Sequence, residues 1–378
     1  MKKFCVCILS LALLFSLAAP AFAAQLDVEA KAVVLMEKTT GEVLYEENAH
    51  QPLEPASVTK VMTLLLIMEA LDSGVISKDT MVPVSAAAAS MGGSQVFLKE
   101  GEELSVNDML KAIAVASGND ASVAMAEYLA GSESSFVEKM NAKAAQLGME
   151  DTVFQNCTGL PMDGHHTSAY DIALMSRELI LNHPDIRTYT TIWMDSLRDG
   201  TFQLANTNKL IRYYNGSTGL KTGSTDSALF CLSATAEKEG MELIAVVLGS
   251  PTSADRFEAA KTLLNYGFSA YTLVTAAPSE PLNPVEVILG QQPWVQPVPE
   301  KTVTLLLPKE DAGKLNTTMD LEESVPAPVE QGQELGELTI YVDGEERASV
   351  GLIAQAAVGK LSLPQVYQGL LGLLFCPT

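Results

Sequence analysis

Histidine, cysteine and positive charge are all scarce in this 378-residue chain. Its four histidines form no H-E-x-x-H pair and no spaced cluster, so metal-dependent hydrolysis has no evident ligand set. Of five cysteines, Cys5 and Cys7 sit in the first ten residues. Cys157, Cys231 and Cys376 are far apart with no C-x-x-C, which speaks against a disulfide framework or a zinc site. Lysine and arginine number 24 against 46 aspartates and glutamates, a formal net charge of −22. A chain so acidic offers no basic face to nucleic acid and should avoid anionic surfaces except through a local patch. The remaining composition is that of an ordinary globular protein.

The N-terminus reads as a secretory signal over residues 1–23. Lys2 and Lys3 precede an apolar run, Phe4 to Ala19, that is too short and wrongly flanked for a spanning helix. Ala21-Phe22-Ala23 then offers a small-x-small cleavage site.

Beyond it, Ala32–Glu37 and Glu42–Glu47 are β-rich runs joined by Lys38-Thr39-Thr40-Gly41, which predicts a hairpin. Ser57–Leu71 is apolar nearly all round, as a central helix would be. From Ser105 to Leu181 the spacing is helical, broken at Gly118, Gly131, Gly148 and Gly159–Gly164. Gly219–Gly223, Ala228–Ala236 and Glu242–Gly249 read as successive antiparallel strands, and Asp255–Phe268 as a further helix. These elements predict one domain over residues 24–276, an antiparallel sheet with a helical cluster. Prolines at 278, 281, 284, 293, 297 and 299 then punctuate short strands such as Val285–Leu289, Thr302–Leu307 and Glu337–Asp343. That density favours a small all-β domain over residues 277–359. In the tail, residues 360–378, the stretch Pro364–Phe375 is apolar apart from Gln365, Gln368, Gly369 and Gly372. Twelve residues cannot cross a bilayer but can lie on its surface as a helix; packing against the β domain is the alternative.

The chemistry concentrates in three motifs. Ser57-Val58-Thr59-Lys60 opens the apolar helix, so that residues i and i+3 share a face and the ammonium group sits over the hydroxyl. The helix N-terminus adds partial positive charge beside a reacting carbonyl. A lysine serves as base only when burial or a second cation lowers its pKa, and Lys221 is the candidate cation. In Ser117-Gly118-Asn119, a serine hydroxyl able to relay a proton accompanies an amide able to hold both a lysine and a substrate carbonyl. In Lys221-Thr222-Gly223, followed by Ser224, the lysine and threonine can hold a carboxylate, while the glycine lets an added strand approach. S-x-x-K alone arises about once in a chain of this size, and K-T-G roughly once in ten such chains. Here each occurs once, in this order, the first opening a helix and the last in a β-run.

With these motifs the chain resembles the penicillin-recognising serine hydrolases. Among them it is most similar to the low-molecular-mass penicillin-binding proteins that are D-alanyl-D-alanine carboxypeptidases. The resemblance extends through Glu54-Pro55-Ala56, Asp120-Ala121, His166–Asp171 and Asn206–Leu210, and to the appended β domain and apolar tail. It implies an α/β (α+β) penicillin-binding, β-lactamase-like transpeptidase fold with a C-terminal all-β domain, and no metal or cofactor. It further implies that Ser57 attacks the carbonyl between the two terminal D-alanines of a peptidoglycan stem pentapeptide while Lys60 takes its proton. Ser117, supported by Asn119 and Lys221, would pass a proton to the departing D-alanine. Backbone N–H groups of Ser57 and Ser224 would form the oxyanion hole, and Thr222 and Lys221 would meet the terminal carboxylate. β-Lactams would acylate Ser57. Two departures stand out: Ser224 occupies a position where some relatives have histidine, and Ser250-Pro251-Thr252 stands where some place an arginine. Arg256 lies nearby and reads as a structural helix-face residue.

Glu178-Leu179-Ile180-Leu181-Asn182 spells E-x-x-L-N, the pattern of the deacylating glutamate in class A β-lactamases. The simpler reading is a helix end. Ser168 and Asp171 form a capping box, Ile172, Leu174, Met175, Leu179 and Ile180 a buried stripe, and His183-Pro184 a stop. An inactive peptidoglycan-binding relative would lack a nucleophile, base or relay residue, and none is lacking. His165, His166 and Asp163 suggest a triad only if Ser57 had no lysine.

Overall fold

The computed structural model describes residues 26–375; the expected signal segment, Cys5, Cys7 and Cys376 lie outside them. A five-stranded antiparallel sheet forms the centre, built from β1 (Ala32–Glu37), β2 (Val43–Glu47), β3 (Ser217–Thr225), β4 (Leu229–Lys238) and β5 (Met241–Ser250) in the order β2-β1-β5-β4-β3. β5 is the middle strand, and all ten of its residues are buried. Side chains alternate between sheet faces, so a strand covered on both sides reads as an unbroken apolar run, as Leu243–Leu248 does.

On one face, Val34, Met36, Ile244, Val246 and Leu248 join the core of a helical cluster. That cluster includes α1 (Lys60–Asp72), α2 (Val106–Ala114), α3 (Asn119–Ala130), α4 (Glu133–Gln146) and α5 (Ala169–Asn182). On the other face, Val33, Leu35, Leu243, Ala245 and Val247 pack with Phe257, Ala260, Leu263 and Leu264 of α6 (Ser253–Ala270). α1 is the central helix, buried from Lys60 through Leu65 and again at Ile67 and Met68, which accounts for its lack of a polar face. The helix starts follow local chemistry. Ser105, Ser132, Ser168 and Thr252 each accept a hydrogen bond from the backbone N–H three residues on.

After α6, β6 (Tyr271–Thr275) pairs antiparallel with β7 (Thr304–Pro308). The C-terminal part holds a three-stranded and a four-stranded sheet around Val285, Val287, Val295, Leu335, Leu338 and Leu352. Pro299, Pro308 and Pro326 each end a strand, where the missing N–H is tolerated. Among the described residues from 277 to 359 the only helical turn is the 3-10 segment Ala312–Lys314. Leu363–Phe375 forms the terminal helix α7, on which Leu363, Tyr367 and Leu370 are exposed.

Candidate active site

The segment before α1 is a 3-10 turn, Ala56–Thr59, with Ala56 at φ +47°. It lies between β3 and the loop Asn156–His165. A Cβ on Gly223 would stand 2.7 Å from Pro55 O and 2.9 Å from Ser57 N. A Cβ on Gly159 would stand 1.8 Å from Ala56 O. Both contacts are with backbone, so only glycine lets the two chains close on the turn. The sequence suggested that Gly223 makes room for substrate; in the structure it makes room for the turn that carries Ser57.

Ser57 is half-buried at this junction and Lys60 is fully buried. Lys60 Nζ donates to Ser57 Oγ at 3.1 Å, to Asn119 Oδ1 at 2.6 Å and to the carbonyl of Thr158 at 2.7 Å. Burial lowers its pKa to about 7, while the Cys157 and Asp120 charges act weakly in the opposite direction. As a neutral amine Lys60 keeps two N–H groups for Asn119 and Thr158, and its lone pair is left for the Ser57 hydroxyl.

Asn119 opens α3, and its own amide group donates to Gly92 O at 2.7 Å. Asp120, fully buried, accepts from Val96 N–H and Leu98 N–H and so holds the 91–98 loop against the start of α3. Ser117 is buried at φ +62°, and its Oγ has no hydrogen-bond partner among the described residues. Neither Asn119 nor Lys221 bonds to it, in contrast to the support the resemblance implies: Asn119 is committed to Lys60 and Gly92.

β3 is one of the sheet's two edge strands and delivers Lys221 to Ser224. Lys221 Nζ is fully buried and donates to Thr222 O at 3.0 Å. Burial pushes its pKa well below that of an ordinary lysine, and the Lys60 and Arg256 charges push it further. At Lys60 burial alone does the lowering, in place of the second cation expected from the sequence; the charge effect runs from Lys60 to Lys221. Thr222 Oγ1 donates to Thr207 Oγ1 at 2.7 Å, and Ser224 is exposed.

Several residues that the sequence marked only through the resemblance, or gave no role in the chemistry, complete the site. Asn208 donates to Gly219 O and Asn206 to Ile192 O, and together they fix Thr207 opposite Thr222. Arg256 Nη1 donates to Gly223 O and Cys231 O, bracing the back of the β3–β4 ladder beside Lys221. His165 accepts from Gln155 N–H through Nδ1, so its Nε2 carries the proton and donates to Thr59 Oγ1 at 2.8 Å. Burial lowers its pKa to about 4, leaving a neutral strut between loop and turn rather than a triad base. The loop Asn156–Gly164 was legible mainly as glycine breaks, and Asp120 only through the resemblance.

Glu178 is not part of this constellation. It accepts from Asn182 Nδ2, and its carboxylate lies within 4.8 Å of Glu69 and His183. Glu69 is nine residues beyond Lys60, about 13 Å along α1. The E-x-x-L-N match is the end of α5, at the far end of the central helix.

The family model described as D-alanyl-D-alanine carboxypeptidase matches residues 19–252. The chain belongs to the D-alanyl-D-alanine carboxypeptidase family. A second model, described as the penicillin-binding protein 5 C-terminal domain, matches residues 272–360 of this carboxypeptidase. D-alanyl-D-alanine carboxypeptidase DacF of Bacillus subtilis is 45% identical over 337 residues, covering 88% of this chain and 86% of the relative. Penicillin-binding protein 5 of Haemophilus influenzae superposes with a TM-score of 0.76 at 29% identity, covering 88% of this chain and 98% of that one. Penicillin-binding protein D2 of Listeria monocytogenes, solved in its ampicillin-bound form, superposes at 0.60 with 32% identity over 65% of this chain and 99% of its own. The carboxypeptidase is therefore a serine-type hydrolase of the cell wall, with a mixed α/β catalytic fold and an appended β domain.

Proposed function

We propose that this carboxypeptidase removes the terminal D-alanine from peptidoglycan stem pentapeptides through an acyl-enzyme on Ser57. The observation that carries the assignment is the buried Lys60 amine, held by Asn119 and Thr158 with Ser57 Oγ as its third neighbour. The neutral amine takes the Ser57 proton as Oγ attacks the penultimate carbonyl. Backbone N–H groups of Ser57 and Ser224 receive the oxyanion, and Thr222 with Lys221 receives the terminal carboxylate. As the C–N bond breaks, the Ser117 hydroxyl, free of other partners, carries a proton from Lys60 to the departing amine. Water then attacks the Ser57 ester as Lys60 takes a proton from it, and Lys60 returns that proton to Ser57 Oγ as the shortened stem leaves.

β-Lactams present a reactive amide beside a carboxylate and would acylate the same hydroxyl; the ampicillin-bound Listeria protein supports this reading. Export by the N-terminal apolar segment would place the enzyme outside the cytoplasm. Exposed Leu363, Tyr367 and Leu370 on α7 support a tail resting on the membrane surface; no described helix is long and apolar enough to cross one. We divide the chain into a catalytic domain over 24–276, a β domain over 277–359 and this tail. Ser57→Ala is expected to abolish D-alanine release from an acyl-D-alanyl-D-alanine peptide without lowering the melting temperature. Release at the unaltered rate would refute the nucleophile.

A further inference from the structure

Arg256, near the start of α6, is only 7% exposed, yet its guanidinium bonds to no carboxylate among the described residues. Nη1 donates to Gly223 O at 2.9 Å and to Cys231 O at 3.2 Å, and Nη2 donates to Ser253 Oγ at 3.3 Å. Nε is buried with no partner among the described residues. The rings of Phe230 and Phe257 flank the group, their centroids 5.4 and 4.8 Å from Cζ. Burial lowers its pKa to about 10, so it stays charged at neutral pH. A buried cation without a counter-ion is costly, and the start of a helix is the unfavourable end of the dipole for it. Bracing two carbonyls needs only a neutral donor. The charge therefore asks for another reason.

The Gly223 carbonyl belongs to the same peptide unit as the Ser224 N–H. One guanidinium nitrogen reaches both Gly223 O and its β4 partner Cys231, so this carbonyl lies on the β4 side of β3. The peptide is trans, and in a trans peptide the C=O and N–H point in opposite directions. The Ser224 N–H therefore leaves the strand on its free edge, away from β4. The nucleophile's own N–H is close by: a Cβ on Gly223 would stand 2.9 Å from Ser57 N.

We propose that Arg256 is a positioning residue for the reaction: its charge, acting through the Gly223 carbonyl, strengthens the Ser224 N–H as a donor to the oxyanion. The proposal rests on the reading that the Ser57 and Ser224 N–H groups receive that oxyanion, and it names what tunes the second of them. A charge-assisted bond to the carbonyl draws electron density out of the peptide and makes its N–H a better donor. The path is dry and the guanidinium is fixed in place, so the charge acts with little screening and without reorganisation as negative charge develops. The helix-face arginine that the sequence marked as structural thus acts on the chemistry from behind the sheet.

Arg256→Gln and Arg256→Lys separate charge from bracing, because both keep an N–H donor and only lysine keeps the charge. With benzylpenicillin, Arg256→Gln is expected to lower the limiting acylation rate about tenfold, with little change in the half-saturating concentration. Arg256→Lys should recover most of that rate. Where glutamine lowers the melting temperature, Arg256→Met, neutral and suited to the slot between the two rings, takes its place. Infrared spectra of the acyl-enzyme, isotopically labelled at the former lactam carbonyl, read the hydrogen bond itself. The ester band of the unaltered protein should lie below its position after unfolding in urea, rise in Arg256→Gln and stay low in Arg256→Lys. Equal rates and bands in the two variants would leave only a brace and overturn the proposal, as would an unaltered rate in the neutral variant. The levels of the argument fail separately. No adduct on Ser57 would sink the serine reading, and an adduct with the same band folded and unfolded would sink the oxyanion assignment. A low band that the neutral variant leaves in place removes only the role of Arg256.

Discussion

Lys60→Met is expected to slow acylation by benzylpenicillin about 10³-fold or more, the range lost when a positioned general base is removed. Methionine preserves length and apolar volume in a fully buried position. The loss therefore reports the missing amine rather than a cavity. The pH dependence sharpens the test. The base works only when unprotonated, so acylation by the unaltered protein should rise as pH climbs through about 7, where burial sets the Lys60 pKa, and then level off. In the methionine variant that inflection disappears. A rise centred near the ordinary lysine value would instead mean that Lys60 stays charged in the fold. The same shift bears on stability. Folded Lys60 binds its proton less tightly than unfolded Lys60, so its contribution is fully present above 10.5 and is lost as pH falls toward 7. A catalytic group maintained at that cost is consistent with pKa tuning by burial.

Gly159→Ala is expected to be nearly as damaging, although Gly159 supplies no reacting group. Its φ of +81° already disfavours a side chain. The added Cβ would lie 1.8 Å from Ala56 O, 2.4 Å from Ala56 C and 2.8 Å from Thr59 Oγ1. The first two are backbone atoms and cannot rotate aside, so the Ala56–Thr59 turn must move and Ser57 with it. A displacement of about 1 Å costs on the order of 10²-fold in rate, and the strain costs about 2–4 kcal/mol of stability. Both follow from urea unfolding and the second-order rate of penicillin acylation. Gly148→Ala is the matched control: φ is +72° but nothing lies within 4 Å of the new Cβ. It should lose only about 1 kcal/mol and no acylation rate. Equal behaviour of the two variants would mean that the loop does not position the nucleophile.

The contrast between these two predictions shows what a sequence displays and what it hides. Lys60 was legible because serine and lysine three apart must share a helix face, and because the surrounding apolar run forecasts burial. β5 was legible for the same reason, since a central strand has no solvent face to mark with polar residues. Gly159 was visible only as a helix break, because its role is a contact with Ala56, 103 positions earlier in the chain. Backbone-to-backbone closeness of that kind leaves no periodic trace. The partners of the catalytic groups were hidden similarly. The Thr158 carbonyl serves Lys60 through main chain that any residue could supply. Thr207 reaches Thr222 only because Asn206 and Asn208 fold its segment back on β3. Ser117 was identified by motif, but not that its hydroxyl would stand unpartnered. E-x-x-L-N shows the opposite hazard, a five-residue match whose glutamate sits at the wrong end of the central helix.

Intact-mass analysis of the protein after brief exposure to benzylpenicillin, followed by peptide mapping, tests the central claim most directly. A covalent adduct of one drug molecule per chain, on the peptide that carries Ser57 and absent from Ser57→Ala, is the expected result. An adduct on any other residue, drug consumed with no adduct at Ser57, or no reaction at all would contradict a serine carboxypeptidase built on Ser57 and Lys60.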